Sequence, residues 1–278
     1  MPDPVLHAAT PLHRPPRHAQ AWPWAVVLSQ ALVAVAWWRL GWQSGLPLLL
    51  ASHALLLWGV FWPQSRLYGP ALSRLPTRER LAWLTIDDGP SADTAAVLDL
   101  LDAHAAKATF FVVGERAQAR PDAVREIVRR GHTLGNHSAT HPAAWFWALG
   151  PRRMAAEIER TQAILRDITG AAPRWFRAVV GMANPFVSAP LQRLGLARVA
   201  WSARGFDAVT ADPQVVVARI ERTLAPGAIV LAHEGAAHGR NVEGMALLLQ
   251  RLDALGYRCV LPETLETEAV ACRAPELS

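Results

Sequence analysis

Two carboxylates stand side by side at Asp87-Asp88, closing the apolar run Leu81-Ala82-Trp83-Leu84-Thr85-Ile86 and preceding Gly89-Pro90. The run predicts a buried strand that Gly-Pro stops, which leaves both acids at its C-terminal end. Adjacent like charges raise one another's pKa unless a cation sits between them, so a metal ligand beside a general base is one reading. An Asx turn capping the next helix is the other, because Asp-Asp-Gly-Pro is also good turn chemistry. Further along, Gly135-Asn136-His137-Ser138-Ala139-Thr140-His141-Pro142 carries two histidines four apart. On a helical turn that spacing points both imidazoles the same way, as a chelating pair requires. One Asp and two neutral His make a borderline-hard donor set with positions left for water and a substrate oxygen. Zinc suits it best, with cobalt, nickel or manganese also compatible.

Two later stretches supply partners. Trp175-Phe176-Arg177 leaves an arginine at the end of an apolar run, which is costly unless it meets an acid, and Asp87 is that acid; a surface arginine with a buried stem is the alternative. Ile229-Val230-Leu231-Ala232-His233 ends an apolar run on a histidine placed to act as a general acid, with Asp207 able to orient its ring. His104, His132 and His238 read as surface or turn residues.

The elements that must position these groups alternate from Leu81 onward. Strand-like runs lie at 81–86, 108–113, 132–136, 174–177, 196–201, 228–231 and 257–260, with helical patterns over 94–105, 121–130, 151–168, 213–224 and 242–255. Strict alternation of strands and helices implies parallel pairing with right-handed crossovers. A distorted (β/α) barrel of about seven parallel strands is the economical solution, and a doubly wound open sheet is second. In both, chemistry belongs at the C-terminal ends of the strands, where Asp87 and Asp88 fall.

The first 80 residues are different in kind. Residues 1–20 are rich in Pro, His and Arg and read as a flexible tail. Trp22 to Trp38 and Leu46 to Trp62 are two uncharged apolar runs flanked by tryptophans, each about as long as a bilayer-spanning helix. Both are apolar all round, which favours a membrane hairpin over buried helices of a soluble domain. Ala34-Val35-Ala36 resembles a signal-peptide cleavage site, but the second run would still anchor the product. His53 within it reads as packing beside Ser52, with a functional intramembrane group as the alternative. Arg14 and Arg17 precede the hairpin and Arg66, Arg74, Arg78 and Arg80 follow it, while its loop holds Arg39 alone. That bias puts both flanks, and the domain behind them, on the cytoplasmic side of a bacterial inner membrane.

The formal net charge of +5 lies wholly in residues 1–80, so the rest of the 278-residue chain is balanced and offers no basic cleft for nucleic acid. Cys259 and Cys272 match no zinc spacing and leave open one late disulfide or two thiols. Nothing in the sequence fixes an oligomeric state.

Thr85-Ile86-Asp87-Asp88-Gly89-Pro90, His137-Ser138-x-x-His141, the Arg177 and Asp207 segments and Leu231-Ala232-His233 resemble, in order and spacing, the motifs of the polysaccharide deacetylases, the NodB-homology domain of carbohydrate esterase family 4. The resemblance covers residues 81–262. It implies a distorted (β/α) barrel in which Asp87 is the catalytic base, Asp88, His137 and His141 hold a divalent metal and His233 is the catalytic acid. It further implies that Arg177 pairs with Asp87, that Asp207 tunes His233, and that the backbone N–H of Val180 serves the oxyanion. Departures fall in two motifs. Arg177-Ala178-Val179-Val180 stands where the family has Arg-x-Pro-Tyr, and Arg204 and Ala208 replace a common acid and a common Trp.

The chain thus divides into a tail (1–20), a two-span hairpin (21–63), a linker (64–80), a deacetylase-like domain (81–262) and a C-terminal tail (263–278). The expected activity is metal-dependent removal of an N-acetyl group from an amino sugar in an envelope polysaccharide or its lipid-linked precursor. An O-acetyl esterase or deformylase on a lipid-linked sugar, or a membrane-tethered carbohydrate-binding pseudoenzyme, are the alternatives.

Overall fold

The computed structural model describes residues 12–271. Two helices come first, α1 (Ala21–Leu40) and α2 (Trp42–Phe61), each of 20 residues. At 1.5 Å per residue each is about 30 Å long, the thickness of a bilayer's hydrocarbon core. Both are long and apolar enough to cross a membrane. Gly41 alone connects them, at φ +79, a left-handed conformation that glycine adopts without a Cβ penalty. They run antiparallel: Gln30 Nε2 donates to Ser52 Oγ at 3.2 Å, and Gly45 leaves room for Trp37. Trp24, Leu28, Leu32 and Trp38 project away from the protein, whereas the large apolar residues after Leu81 are mostly enclosed. His53 Nδ1 lies 2.9 Å from the Leu49 carbonyl oxygen and beside Ser52.

The barrel follows. Its strands are β1 (Leu81–Gly89), β2 (Ala108–Val112), β3 (Thr133–Asn136), β4 (Trp175–Phe176), β5 (Ala197–Arg198), β6 (Ala203–Arg204), β7 (Ala228–His233) and β8 (Arg258–Cys259). Between and after them lie α3 (Thr94–Ala103), α4 (Gly114–Ala119), α5 (Pro121–Arg129), α6 (Pro151–Thr169), α7 (Ser188–Leu194), α8 (Pro213–Thr223), α9 (Asn241–Ala254) and α10 (Pro262–Ala271). Every strand pair is parallel, in the order β5-β4-β3-β2-β1-β7-β6, with β8 on the N-terminal end of β1. β5 and β6 sit at opposite ends of that order, yet only residues 199–202 join them. So short a connection spans at most about 18 Å. The sheet therefore curls until its two edges face each other, giving the distorted barrel.

What closes the seam is the segment expected as a linker. Leu72 N–H donates to Arg198 O, Ala200 N–H donates to Leu72 O, and Leu75 N–H donates to Gly227 O. Arg198, buried in the seam with its pKa lowered to about 10 by burial, donates to the carbonyls of Ser65 and Gly69. Edge strands leave a row of unpaired backbone groups, and 65–75 takes up part of that row. Part of the expected N-terminal tail is also ordered against the barrel: His13 packs edge-on against Trp175, and Gln192 Nε2 donates to Arg17 O at 2.7 Å. α10 occupies the start of the expected C-terminal tail; Cys272 lies outside the described residues.

The two-residue period of β structure sorts β1 into two faces. Ala82, Leu84 and Ile86 pack outward with Val97, Leu101 and Leu248 under the helices. Leu81 and Trp83 point inward with Phe111, Trp175, Ile229 and Leu231. Continuing the alternation carries Thr85 and Asp87 to the inner face. β7 repeats it, with Val230 and Ala232 outward and Ile229, Leu231 and then His233 inward. One periodicity thus delivers both groups to the interior at the C-terminal rim.

Candidate active site

Asp87 is buried, and its Oδ1 accepts a 2.7 Å hydrogen bond from Arg177 Nη1. Arg177 is fully enclosed. Burial presses its pKa down and Asp87 works against that, while its other donors reach Thr85 Oγ1 (2.8 Å), Ala200 O (3.2 Å) and Val199 O (3.4 Å). Its guanidinium lies 4.2 Å above the Phe111 ring. A charge this deep survives because every direction is answered.

Asp88 faces the two histidines. Its Oδ1 is 3.0 Å from His141 Nε2 and 3.6 Å from His137 Nε2, and His137 Nε2 is 3.6 Å from Asp87 Oδ2. His137 Nδ1 lies 2.9 Å from the Arg177 carbonyl. Since a carbonyl only accepts, Nδ1 carries the proton and the Nε2 lone pair turns toward Asp88. Burial lowers the pKa of His137, which favours the neutral ring a metal needs. Burial alone would raise the Asp88 carboxyl; the close approach of His141 and the charges of His137, His141 and His233 hold it well below the carboxylate range.

A divalent metal fits this arrangement. Ligand atoms of Asp88, His137 and His141 all lie within 4.8 Å of one another. Asp88 Oδ1 is buried without a hydrogen bond of good geometry, with His141 Nε2 at 3.0 Å and His137 Nε2 at 3.6 Å. Two neutral nitrogens and one carboxylate oxygen around such an atom are the donor chemistry of a zinc-type centre.

His233 closes the other flank. Its ring Nδ1 lies 2.8 Å from Asp207 Oδ1, and its backbone N–H donates to Asp207 Oδ2 at 2.6 Å. Burial opposes the charged ring, but Asp207 outweighs it, with Asp87 and Asp88 adding to the effect, and the pKa is pushed up to about 9. The ring is therefore protonated at neutral pH. Asp87 and His233 are direct partners in the β1–β7 register.

These groups share a cavity of about 220 Å³ that Val180, Trp201, Arg204, Phe206 and Val209 also line. A larger cavity of about 630 Å³, where residues 13–25 meet Leu67–Pro70, holds none of the paired acids and imidazoles. Six non-glycine residues among those described have positive φ: Asp88, Ser138, His141, Val180, Phe206 and Ala105. All but Ala105 line the site or sit in its histidine loop. Strain of this kind persists only where the surroundings enforce it.

The residues that support these groups carry weaker sequence signals. Glu157 on α6 accepts from the backbone N–H groups of Ala139 (2.9 Å) and Thr140 (2.8 Å) and from Thr140 Oγ1, fixing the loop between the two histidines. Its signal was there, an acid on the same helical face as Met154, Ile158, Thr161 and Leu165. Glu234, next to His233, accepts from Ser91 and Thr94 and ties β7 to the turn after Asp88; burial raises its pKa. His238 and Asn241 hold the Asp207 carbonyl at 2.7 and 3.4 Å. Of the histidines read as surface or turn residues, His104 pairs with Asp253. His132 corrects that reading: it is buried, its pKa lowered to about 4 by burial, and its Nδ1 accepts from Ala108 N–H.

A curled parallel barrel that gathers a buried carboxylate, a buried histidine and a metal-type donor set at its C-terminal rim has the layout of a hydrolase. The family model described as polysaccharide deacetylase matches residues 74–199. A chitooligosaccharide deacetylase of Sinorhizobium fredii is 36% identical over 155 residues, 55% of this chain and 71% of that protein. Among solved structures, a peptidoglycan N-acetylglucosamine deacetylase is 29% identical with a TM-score of 0.64, covering 69% of this chain and 91% of the other. A carbohydrate esterase family 4 pseudoenzyme from Bacillus anthracis is 25% identical with a TM-score of 0.59, covering 65% and 63%. The chain belongs to the polysaccharide deacetylase family, the NodB-homology group of carbohydrate esterase family 4.

Proposed function

We propose that this protein is a metal-dependent deacetylase that hydrolyses the acetamide of an amino sugar while held at a membrane by its N-terminal hairpin. The observation that carries the reading is the meeting, in one cavity, of an arginine-held carboxylate, an aspartate-held histidine and the Asp88, His137, His141 donor set. Those three side chains would hold a divalent ion, with zinc the best match, and it would supply Lewis acidity to the reaction. Asp87, fixed by Arg177, takes a proton from the attacking water as general base. The backbone N–H of Val180 donates to the oxyanion that develops on the acyl oxygen. His233, protonated through Asp207, gives its proton to the departing nitrogen, without which an amine is a poor leaving group at neutral pH. The products are acetate and the free amino sugar.

Acetylated amino-sugar polymers are the substrates that the names of the similar proteins support. A lipid-linked sugar has support in this chain's own layout. Just after α2, Pro63 lies against Gly181 of the cavity wall, and Gln64 Nε2 donates to the carbonyl of Trp201 in the same wall at 2.7 Å. The exit of the second span therefore abuts the rim of the cavity. The arginine bias of the flanks favours the cytoplasmic face of the inner membrane, where mature wall polymer is out of reach. A reporter fused after Ser278 that is active only in the cytoplasm supports this side; one active only beyond the membrane overturns it.

The activity is tested with the full chain in detergent, stripped of metal and reloaded with zinc. Acetate release from N-acetylglucosamine oligomers or a lipid-linked N-acetyl sugar that follows zinc loading supports the reading. A fully loaded protein that releases acetate from none of them refutes it.

A further inference from the structure

Arg204 stands in β6, where Ala203 packs outward against the helices and Arg204, opposite Leu231 of β7, lines the cavity. Its guanidinium carbon lies 3.9 Å from the ring centre of Phe206 and 5.3 Å from that of Trp201. The two rings hold the guanidinium by cation–π contact and leave its N–H groups unanswered. Among the described residues no carboxylate lies within ion-pair reach of Arg204 and no acceptor takes a hydrogen bond from it.

Its neighbours show that this is not general. Arg177 satisfies its donors on Asp87, Thr85 and two carbonyls. Arg219, whose guanidinium lies 5.6 Å from the Phe206 ring, donates to Thr210 Oγ1 at 2.9 Å and to Gly205 O at 3.3 Å. Arg219 holds the loop; Arg204 holds nothing. Phe206 sits at φ +63, a costly backbone for an aromatic residue, and in that conformation its ring lies against the Arg204 guanidinium. Partial burial without an acid to offset it lowers the Arg204 pKa, the mark of a cation part-stripped of water and not yet paired.

We propose that Arg204 is a specificity-determining residue that binds an oxyanion, a phosphate or a carboxylate, carried by the amino sugar whose amide is cleaved. A guanidinium presents parallel N–H groups matched to two oxygens of such a group, and the contacts with Phe206 and Trp201 restrain it before the ligand arrives. This deepens the deacetylase reading and rests on it: the substrate is an acidic amino sugar rather than a neutral chitin-like chain.

The test uses the zinc-loaded full chain in neutral detergent and three N-acetylglucosamine derivatives. They are the uncharged methyl glycoside, an alkyl 1-phosphate diester, and the methyl glycoside bearing a 3-O-lactyl carboxylate. The wild type is expected to prefer an anionic derivative over the uncharged one in kcat/KM. Arg204→Gln should reduce that preference about 10- to 100-fold, the scale of a lost hydrogen bond to a charged group, with Arg204→Lys between the two. Preference for the phosphate identifies a phosphate-bearing, lipid-linker-type sugar; preference for the lactyl derivative identifies a carboxylate-bearing one. No preference in the wild type, or a preference unchanged in Arg204→Gln, overturns the proposal. Failure of the deacetylase reading shows separately, as absence of acetate from all three compounds. Calorimetric binding of the alkyl phosphate then decides on Arg204: weaker binding to Arg204→Gln than to the wild type, with Arg204→Lys intermediate, supports it, and equal binding by all three proteins overturns it.

Discussion

Asp87 and His233 face each other across neighbouring parallel strands, each gripped from behind by a side chain of opposite charge. Arg177 holds the carboxylate and Asp207 the imidazole, through hydrogen bonds of 2.7 and 2.8 Å. Two titratable groups given opposite environments are suited to opposite roles, one to accept and one to donate a proton at the same pH.

Replacing Asp87 with Asn removes the proposed base and leaves a guanidinium whose side chain is 1% exposed without its counter-charge. Turnover should fall about 10²- to 10⁴-fold, the usual contribution of general base catalysis. Stability should drop by about 3 kcal/mol, because breaking a buried pair strands the remaining charge. Zinc content should stay near one per chain, since Asp88, His137 and His141 are untouched. Metal analysis, acetate release and thermal unfolding on one preparation check all three, and full turnover in the variant would remove Asp87 from the mechanism.

The pH dependence follows from His233. Its pKa is raised from 6.5 to about 9, so the acid form is present at neutral pH and kcat/KM should decline as pH rises through about 9. In Asp207→Asn the main raising influence is gone, and the decline should move to lower pH. Stability carries the same sign. The His233–Asp207 interaction stabilises the folded protein fully below about 6.5, progressively less as pH rises, and not at all above about 9. A pH–rate profile and a pH series of melting curves report the two effects independently.

The gathering of the candidate site was legible because its main residues sit on long, regular elements. The nine residues of β1 and six of β7 show an apolar run ended by charge, and alternation alone assigns Asp87 and His233 to one face. β6 was not legible: two residues have no period, and Ala203-Arg204 is defined only by pairing with Val230 and Leu231. Residues 64–80 read as a linker because their role as seam filler depends on where distant edges end, which local pattern does not encode. α4 and α7, with six and seven residues, are too short to show a helical period. His132 misled for a related reason: a histidine after Gly131 resembles turn chemistry, and only the packing of Phe110 against it reveals burial.

Glu157 should govern metal affinity without touching the metal. Its carboxylate takes the N–H groups of Ala139 and Thr140, so Glu157→Ala strands two donors in the loop that carries His137 and His141. Zinc affinity should fall about 10- to 100-fold, as for lost supports behind metal ligands. Competition against a chromophoric chelator measures it. Excess zinc should restore much of the turnover, which distinguishes a positioning role from a catalytic one.

Gly181 links the hairpin to the cavity. It has φ +76, and a Cβ there would lie 2.5 Å from Trp201 Cη2 and 2.7 Å from Pro63 Cγ. Gly181→Ala therefore meets both a backbone penalty and two clashes with rings held by other contacts, since the Gln64 side chain bonds the Trp201 backbone. Relief requires Pro63 to move away, which shifts the end of α2, or Trp201 to move, which reshapes the cavity wall. The expected result is a loss of about 1 to 3 kcal/mol in stability together with a rise in KM, while Asp87, His233 and the metal donors keep kcat within a few-fold. Thermal unfolding and steady-state kinetics in the same detergent test this. Wild-type KM and melting temperature in Gly181→Ala would mean that the contact between the exit of α2 and the cavity wall gives way at no cost, and that the hairpin does not shape the site.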